Sequence, residues 1–203
     1  MFKIENPIIA PGSWETLGMG LRGLGLPSGM EYTCGYCERD VSSVKGMLAN
    51  GSNIYALICP SCGCMTMLEN AEDGYQMPGI PYGINIEKLP KTVEYLYEEA
   101  RDCFKIQAYT AVILISRKAL ANTAVYFGAE DGKSFTHYMD YLVNEGYIAK
   151  RNRRTIDKIR KEGNSATHNK ASKNEVDAKE ILNLLEMLLL INFEYNDEHE
   201  ATE

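Results

Sequence analysis

Two Cys-x-x-Cys pairs constrain the fold of this chain more than any other feature of its sequence. Cys34 and Cys37 form the first pair, Cys59 and Cys62 form the second, and 21 residues separate the two pairs. A tight turn that carries two thiolates is half of a tetrahedral metal site, so two such turns supply the four soft ligands that zinc prefers. The spacing therefore predicts a zinc site made of four cysteines.

The residues around the two pairs favour a small β-fold. Ile54–Ile58 is rich in residues that prefer strands, and it lies directly before the second pair. We expect a zinc ribbon at residues 30–78, because a segment of this size buries too little apolar surface to fold stably alone. Four cysteines leave no open coordination position, so the predicted zinc has a structural role.

Cys-x-x-Cys pairs have two other uses, a redox dithiol and an iron–sulfur centre. Neither explains why two turns bracket a hairpin. Cys64 lies two residues beyond Cys62, and it either replaces that ligand or packs beneath the site. Five of the six cysteines fall within residues 34–64 of a chain without an export signal, which favours metal binding over a disulfide framework.

The rest of the chain divides into segments of different composition. Residues 1–29 are rich in glycine and proline and predict an extended N-terminal arm, and residues 79–86 predict a linker. Residues 87–195 show helical periodicity, and residues 196–203 form an acidic tail. The predicted fold class is α+β: a small four-cysteine zinc ribbon followed by an antiparallel all-α helical bundle.

Five helices with short connections are predicted in the bundle. They start after Leu89-Pro90, near Ala108, at Ser134, near Tyr147 and at Glu175. The Ser134 hydroxyl is suited to cap the third helix, and Thr155, Ile156 and Ile159 are predicted to face inward on the fourth. The last helix carries more leucine and isoleucine than one buried stripe needs, so we expect part of it to contact a second subunit.

The fourth helix is a strongly basic segment of an acidic protein. The net charge of −7 argues against nucleic-acid binding over the whole surface, yet residues 150–161 hold seven basic side chains and one acidic one. Such a local potential can bind phosphates; the alternative is a solvated face that pairs with acidic neighbours. The outward residues, named here the basic row, are Arg151, Arg154, Lys158 and Lys161.

Arg160, Asn164 and His168 recur every four residues near the end of the basic helix. If the helix continues through Gly163, the three lie on one face, because four residues advance only about 40° around the axis. If the helix ends at Gly163 or Asn164, the same residues form a cap and a turn.

The composition is that of a globular protein, with 45% hydrophobic and 24% charged residues. No apolar run reaches the roughly 18 residues that span a bilayer, and the N-terminal residues do not have the pattern of a signal peptide. The sequence therefore predicts a cytoplasmic protein without a membrane partner.

Several stretches of the predicted bundle resemble a single family. They are Leu89-Pro90, Tyr97-Glu98-Glu99-Ala100, Ala111-Val112-Ile113-Leu114-Ile115-Ser116-Arg117-Lys118-Ala119-Leu120 and Ile159-Arg160-Lys161-Glu162-Gly163-Asn164-Ser165-Ala166-Thr167-His168. The chain resembles, over about residues 87–195, the bacterial and phage helical family catalogued as domain of unknown function 4145, which often carries a zinc ribbon in front. That family has been likened to the HEPN helical bundles, named for higher eukaryotes and prokaryotes nucleotide-binding.

Many HEPN proteins are metal-independent ribonucleases of toxin and phage-defence systems, in which an Arg and a His face each other across a homodimer. The resemblance implies that Arg160, Asn164 and His168 are catalytic in a homodimeric RNA endonuclease. His168 would transfer protons, because an imidazole has a pKa of about 6.5, and Arg160 would neutralise charge on the phosphate.

The HEPN ribonucleases place four to six residues between the Arg and the His, whereas seven separate Arg160 from His168. This difference favours a binding or interaction module as the first hypothesis, with the endonuclease as the alternative. Such a module would bind RNA, another nucleic acid or a protein partner in a phage–host conflict, on the side of defence or of counter-defence.

Overall fold

The computed structural model describes residues 14–16, 29–49, 52–70, 74–168 and 173–195, with all their side chains except those of residues 14–16, 153 and 162–168. The chain divides into two compact units, Met1–Pro81 and Tyr82–Glu203. The described part of the first unit consists of strands and loops, and that of the second is helical. The protein thus has the predicted α+β architecture, in which strands that carry a cysteine cluster precede a helical bundle.

Short antiparallel strands make up the described part of the first unit. They are β1 (Trp14–Thr16), β2 (Met30–Thr33), β3 (Asp40–Ser43), β4 (Gly46–Ala49), β5 (Ile54–Ile58), β6 (Met65–Glu69) and β7 (Gln76–Met77). β2 and β3 pair as a two-stranded sheet, and the other five form a sheet in the order β1-β4-β5-β6-β7. The strand predicted at Ile54–Ile58 is confirmed, and it occupies the centre of the larger sheet.

Strand β1 lies within the segment that was predicted as an arm. Trp14 pairs with Ala49 and Thr16 pairs with Met47, which makes β1 an edge strand beside β4. A strand of three residues is too short to show an alternating apolar pattern, so periodicity could not indicate it.

Among the described residues of this unit, the apolar core is small. Tyr55 and Leu57 are its buried members, and four partly buried side chains pack against them: Met30, Tyr32, Leu48 and Leu68. Gly46 permits the close approach of β4 and β5, because a Cβ atom there would overlap the carbonyl oxygen of Ala56. A core of this size contributes little to the free energy of folding, which leaves a stabilising role for a bound metal.

Helices form the described part of the second unit. They are α1 (Lys91–Lys105), α2 (Tyr109–Tyr126), α3 (Phe135–Asn144), α4 (Arg153–His168) and α5 (Glu175–Leu189), with a 3₁₀ turn at Lys150–Asn152 and a π-helical turn at Leu190–Glu194. The predicted cap of α3 is confirmed, because the Ser134 side chain accepts a hydrogen bond from the backbone N–H of His137 at 3.3 Å. Asn174 and Asp177 form a capping box at the start of α5.

Helix α2 is the centre of the bundle. It contacts α1, α3, α4 and α5, and its buried side chains point to more than one side. Its apolar buried residues are Val112, Ile113, Ala119, Leu120 and Ala124. A helix that is apolar over most of its surface is stable in water only when other helices surround it, and the packing around α2 follows from that.

The basic helix starts later than the sequence pattern predicted. Residues 147–149 are not helical, because the Ile148 N–H bonds the Leu142 carbonyl oxygen and the Tyr147 carbonyl accepts from Asn192. Ile156 and Ile159 are buried as predicted, whereas Thr155 is exposed. Thr155 lies in the first turn of α4, at the border of the stripe that these isoleucines define.

The final helix also differs from the prediction at its end. Helix α5 stops at Leu189, and the chain continues in the π-helical turn, where Phe193 is buried. Ile191 and Tyr195 are 55% and 72% exposed. The contact of this surface with a second subunit stays a prediction.

A buried arginine of helix α1 forms hydrogen bonds with the backbone at the start of this unit. Arg101 is 1% exposed, and it donates through Nε to the Tyr82 carbonyl at 3.3 Å and through Nη2 to the Gly83 carbonyl at 3.1 Å. Its Nη1 lies 3.0 Å from a carboxylate oxygen of Glu98. The Ile84 N–H donates to Glu186 at 3.2 Å, so both α1 and α5 bind the segment before the first helix.

Candidate functional site

Each Cys-x-x-Cys pair lies in a tight turn between two strands. The first turn connects β2 to β3, and it is closed by a 2.8 Å hydrogen bond from the Glu38 N–H to the Cys34 carbonyl. The second connects β5 to β6, and the Gly63 N–H donates to the Cys59 carbonyl at 2.9 Å. The two turns therefore present their thiols in equivalent ways, as the repeated motif predicts.

The structure brings the four sulfur atoms together. All four Sγ atoms of Cys34, Cys37, Cys59 and Cys62 lie within 4.8 Å of one another, and the Cys34–Cys62 and Cys37–Cys59 distances are both 3.8 Å. A tetrahedral ion with sulfur bonds of about 2.3 Å separates its ligands by about 3.8 Å. The thiols are too far apart for disulfides, whose sulfur atoms are about 2 Å apart. The cluster thus has the dimensions of a site for one four-coordinate metal ion.

The local electrostatics also suit a cation. Burial raises the pKa of the Cys59 thiol, but hydrogen bonds from the backbone amides of Cys62 and Ser61 and from neighbouring thiols outweigh it and lower the pKa to about 7. The backbone amide of Cys64 lowers the pKa of Cys62, whereas desolvation and three neighbouring thiols raise it to about 12. One thiolate thus forms readily, and its negative charge opposes ionisation of the next thiol. A divalent cation at the centre of the cluster would offset the repulsion between the thiolates.

Neighbouring groups hold the two turns in place. Arg39 donates to the Ser61 hydroxyl at 2.8 Å and so links one turn to the other. Gly35 packs against the backbone of Pro78 and Gly79, where an added Cβ atom would lie only 2.5 Å from two carbonyl oxygens. Gln76 completes this support by donating to the Thr33 carbonyl at 2.9 Å.

Cys64 is not a member of the four-cysteine cluster. Its carbonyl accepts a 2.9 Å hydrogen bond from the Cys59 N–H, and its own amide bonds the Cys62 sulfur. The fifth thiol therefore belongs to a residue whose backbone shapes the second turn.

The basic row forms an exposed face of α4 and of the 3₁₀ turn before it, which contains Arg151, and this face is opposite the buried Ile156 and Ile159. Among the described residues, Arg151, Arg154 and Lys161 have no ion-pair partner. The fourth member, Lys158, pairs with Glu180 of α5, with Nζ 2.6 Å from each carboxylate oxygen. These are the four predicted phosphate-binding residues: Arg151, Arg154, Lys158 and Lys161.

Helix α4 continues through Gly163 as far as His168. The alternative in which the helix ends at Gly163 or Asn164 therefore does not apply, and positions 160, 164 and 168 share one helical stripe. Arg160 is 33% exposed, and its Nη1 lies 3.3 Å from Asp157. The side chains of Asn164 and His168 lie outside the described residues.

Arg117 of α2 reaches the backbone of α4 at the start of this stripe. Its Nη1 donates to the carbonyls of Ile159 and Arg160 at 3.3 and 3.2 Å, and its Cζ lies 4.1 Å from the centre of the Phe135 ring. Burial lowers the pKa of the Arg117 guanidinium. The sequence singled out Arg117 only as part of the resemblance, because a contact between two helices leaves no signal in periodicity.

Comparison with known proteins now assigns the helical unit to a family. The family described as Domain of unknown function (DUF4145) matches residues 98–201, just over half of the chain. The chain belongs to this family. The matched region comprises the second half of α1 and all of α2 to α5, and it includes the basic row.

Neither a curated protein nor a solved structure matches the chain. No described helix combines the length and the apolar character needed to cross a membrane. The chemistry of the four-cysteine cluster and of α4 is therefore the basis for a functional assignment.

Proposed function

We propose that this member of the DUF4145 family is a binding module that contacts nucleic acid through the basic row on α4 and the 3₁₀ turn before it. The observation that carries the proposal is that Arg151, Arg154 and Lys161 are exposed and lack ion-pair partners among the described residues. Unpaired cations on one helix face attract a polyanion and release its counterions on binding. A row neutralised by acidic neighbours would have favoured the alternative, a solvated face.

We further propose that the four-cysteine cluster binds one structural Zn²⁺ through Cys34, Cys37, Cys59 and Cys62. The matching sulfur–sulfur distances of 3.8 Å support a tetrahedral ion. Four thiolates leave no position for a water or a substrate, so the ion would stabilise the strands and take no part in a reaction. Metal analysis of the purified protein distinguishes zinc from a single iron.

The family likeness supports a place for this module in phage–host conflict. The resemblance to HEPN bundles suggests a cytoplasmic homodimer that binds RNA, another nucleic acid or a protein of a defence or counter-defence system. The exposed Ile191 and Tyr195, in the π-helical turn after α5 and directly beyond it, are candidates for the contact between subunits.

The experiment is a binding titration with labelled duplex DNA and single-stranded RNA at several salt concentrations. A triple variant of the row, Arg151→Gln, Arg154→Gln and Lys161→Gln, should bind more weakly. Its plot of log affinity against log salt should be shallower by about 0.9 for each duplex phosphate contact that is lost.

The matched control removes three exposed lysines elsewhere: Lys45→Gln, Lys91→Gln and Lys118→Gln. This control has the same net charge as the row variant. Equal affinity of the two triple variants would show that the basic row is not the binding surface.

A second candidate function, a metal-independent RNA endonuclease, is favoured by the continuity of α4. The unbroken helix puts positions 160, 164 and 168 on one stripe beside the basic row. His168 would take or give a proton, Arg160 would neutralise charge on the phosphate, and Asn164 would orient the imidazole or the phosphate.

The endonuclease is tested by incubating a mixed RNA pool with the zinc-loaded protein in buffer without added divalent ions. The parent should cut the pool and the His168→Ala variant should not. His137→Ala, on the exposed face of α3, is the control and should cut like the parent. Absence of cutting by the folded parent would reject this candidate and leave the binding module.

A further inference from the structure

The basic row is not uniform, because one member is already paired with a carboxylate. Lys158 Nζ lies 2.6 Å from both Oε1 and Oε2 of Glu180, a residue of the neighbouring helix α5. Arg154 and Lys161, one turn away on either side, have no ion-pair partner among the described residues. A carboxylate from another helix thus lies against the middle of the row.

The ion pair can exchange with solvent ions. The Lys158 and Glu180 side chains are 46% and 36% exposed, and exposed pairs of this kind contribute little to stability. A phosphate that approaches the row meets Lys158 already occupied by an anion. Binding there requires the carboxylate to leave, and the displaced Glu180 then lies close to the phosphate and repels it.

The position of the pair decides how much of the row a ligand can use. Arg154, Lys158 and Lys161 span about 10 Å along the helix axis, which corresponds to about three phosphates of one duplex strand. With Lys158 occupied, the outer cations flank a neutral centre. Release of Glu180 removes the α5 carboxylate from the centre of the row.

We propose that Glu180 is a built-in competitor of phosphate that restrains nucleic-acid binding by the basic row. This inference rests on the proposed binding function and adds a regulating residue to the same surface. The ligand class is an extended phosphodiester chain, which can contact several members of the row and so outcompete one carboxylate. A single inorganic phosphate lacks that advantage and should bind weakly.

The test compares Glu180→Gln with Glu175→Gln in the full-length, zinc-loaded protein. Glu175 lies on the same helix and pairs with Lys179 at 2.6 Å, so both variants remove one charge and one ion pair from α5. At low salt, Glu180→Gln should bind duplex DNA about 2- to 5-fold more tightly than the control. Its salt dependence should be steeper by about 0.9, because one more phosphate is contacted.

Two further variants show whether the gain in DNA affinity depends on Lys158. Lys158→Gln should lose affinity, and Glu180→Gln should raise affinity less in the Lys158→Gln background than in the parent background. Circular dichroism of each variant establishes that the helices are intact before binding is compared.

The outcomes separate this inference from the function on which it rests. A parent that binds duplex DNA, with equal affinities for Glu180→Gln and Glu175→Gln, would overturn the competitor role and leave the basic row in place. Absence of binding by the parent and by both variants would overturn the binding function and the inference together. An equally large gain from Glu180→Gln in the parent and in the Lys158→Gln background would also reject the competitor role, since Lys158 would not be involved.

Discussion

Among the described residues, Arg101 is the charged side chain in the core. Its guanidinium is planar and carries five donors, which suits the two carbonyls of Tyr82 and Gly83 and the carboxylate of Glu98 at once. Tyr97 lies one turn earlier on the same buried face, where the Arg101 Cζ is 5.8 Å from the ring centre. One buried residue therefore satisfies backbone groups that the segment before α1 cannot pair within itself.

At this scale we predict that Arg101→Met lowers the free energy of unfolding by about 2–3 kcal/mol, because the carbonyls of Tyr82 and Gly83 lose their donor. Urea unfolding of the full-length protein measures the change. Arg154→Met, on the exposed face of α4, is the control and should stay within about 0.5 kcal/mol of the parent. Similar midpoints for the two variants would show that the hydrogen bonds of Arg101 are not needed.

At the scale of single elements, α4 shows which features follow from helical periodicity and which depend on tertiary contacts. The positions of Ile156 and Ile159 in the core and of the basic row in solvent follow from a repeat of 3.6 residues. The continuation of the helix through Gly163 does not follow from this repeat, because a glycine inside a helix lowers helix stability by about 1 kcal/mol relative to alanine. Arg117 of α2 donates to the backbone carbonyls of Ile159 and Arg160, and this contact helps to stabilise α4 just before Gly163.

Helix α3 provides the prediction at the scale of elements. It has ten residues, and the Ser134 hydroxyl accepts a hydrogen bond from one of its free N–H groups. Ser134→Ala should lower the free energy of unfolding by about 1 kcal/mol, whereas Ser134→Asp should retain most of it, because a carboxylate also caps a helix. Thermal unfolding compares them, and equal melting temperatures of the alanine variant and the parent would contradict the capping role.

On the scale of the whole molecule, the two compact units rely on different sources of stability. The helical unit has an extensive apolar core that involves all five described α-helices. The part of the first unit that the structure describes has two buried residues in its apolar cluster and four thiols within 4.8 Å of one another. A small unit with so little apolar burial depends on cross-links, and a metal ion is the cross-link that these thiols can hold.

We therefore expect zinc removal to unfold the first unit and leave the helices intact. Cys34→Ser combined with Cys59→Ser should reduce bound zinc from one ion per chain to none. The dispersed amide signals of the strands should be lost, while the helical circular dichroism persists. Loss of the helical signal together with zinc would contradict the independence of the two units.

The other two cysteines serve as controls for the metal prediction. Cys103 lies on α1 with a thiol whose pKa is raised by burial, and Cys64 is outside the four-cysteine cluster. Cys103→Ala and Cys64→Ser should each retain one zinc per chain. Loss of zinc in Cys64→Ser would show that the ligand set differs from the one proposed.

Features that depend on residues close together in the chain could be predicted from the sequence. The two Cys-x-x-Cys turns, the Ser134 cap and the basic face of α4 follow from local spacing, because turn geometry and helical periodicity act over a few residues. The resemblance to the DUF4145 family drew on the same local patterns, and the match to residues 98–201 confirms membership in that family.

Features that depend on residues far apart in the chain emerged only from the folded structure. Arg101 is buried because the carbonyls before α1 need its donors, and α4 starts at Arg153 because the preceding residues bond α3 and the final turn. Lys158 is paired because α5 carries Glu180 to its side, 22 residues further along the chain. Charge and periodicity cannot reveal such partners, since a side chain meets them only after the helices have packed.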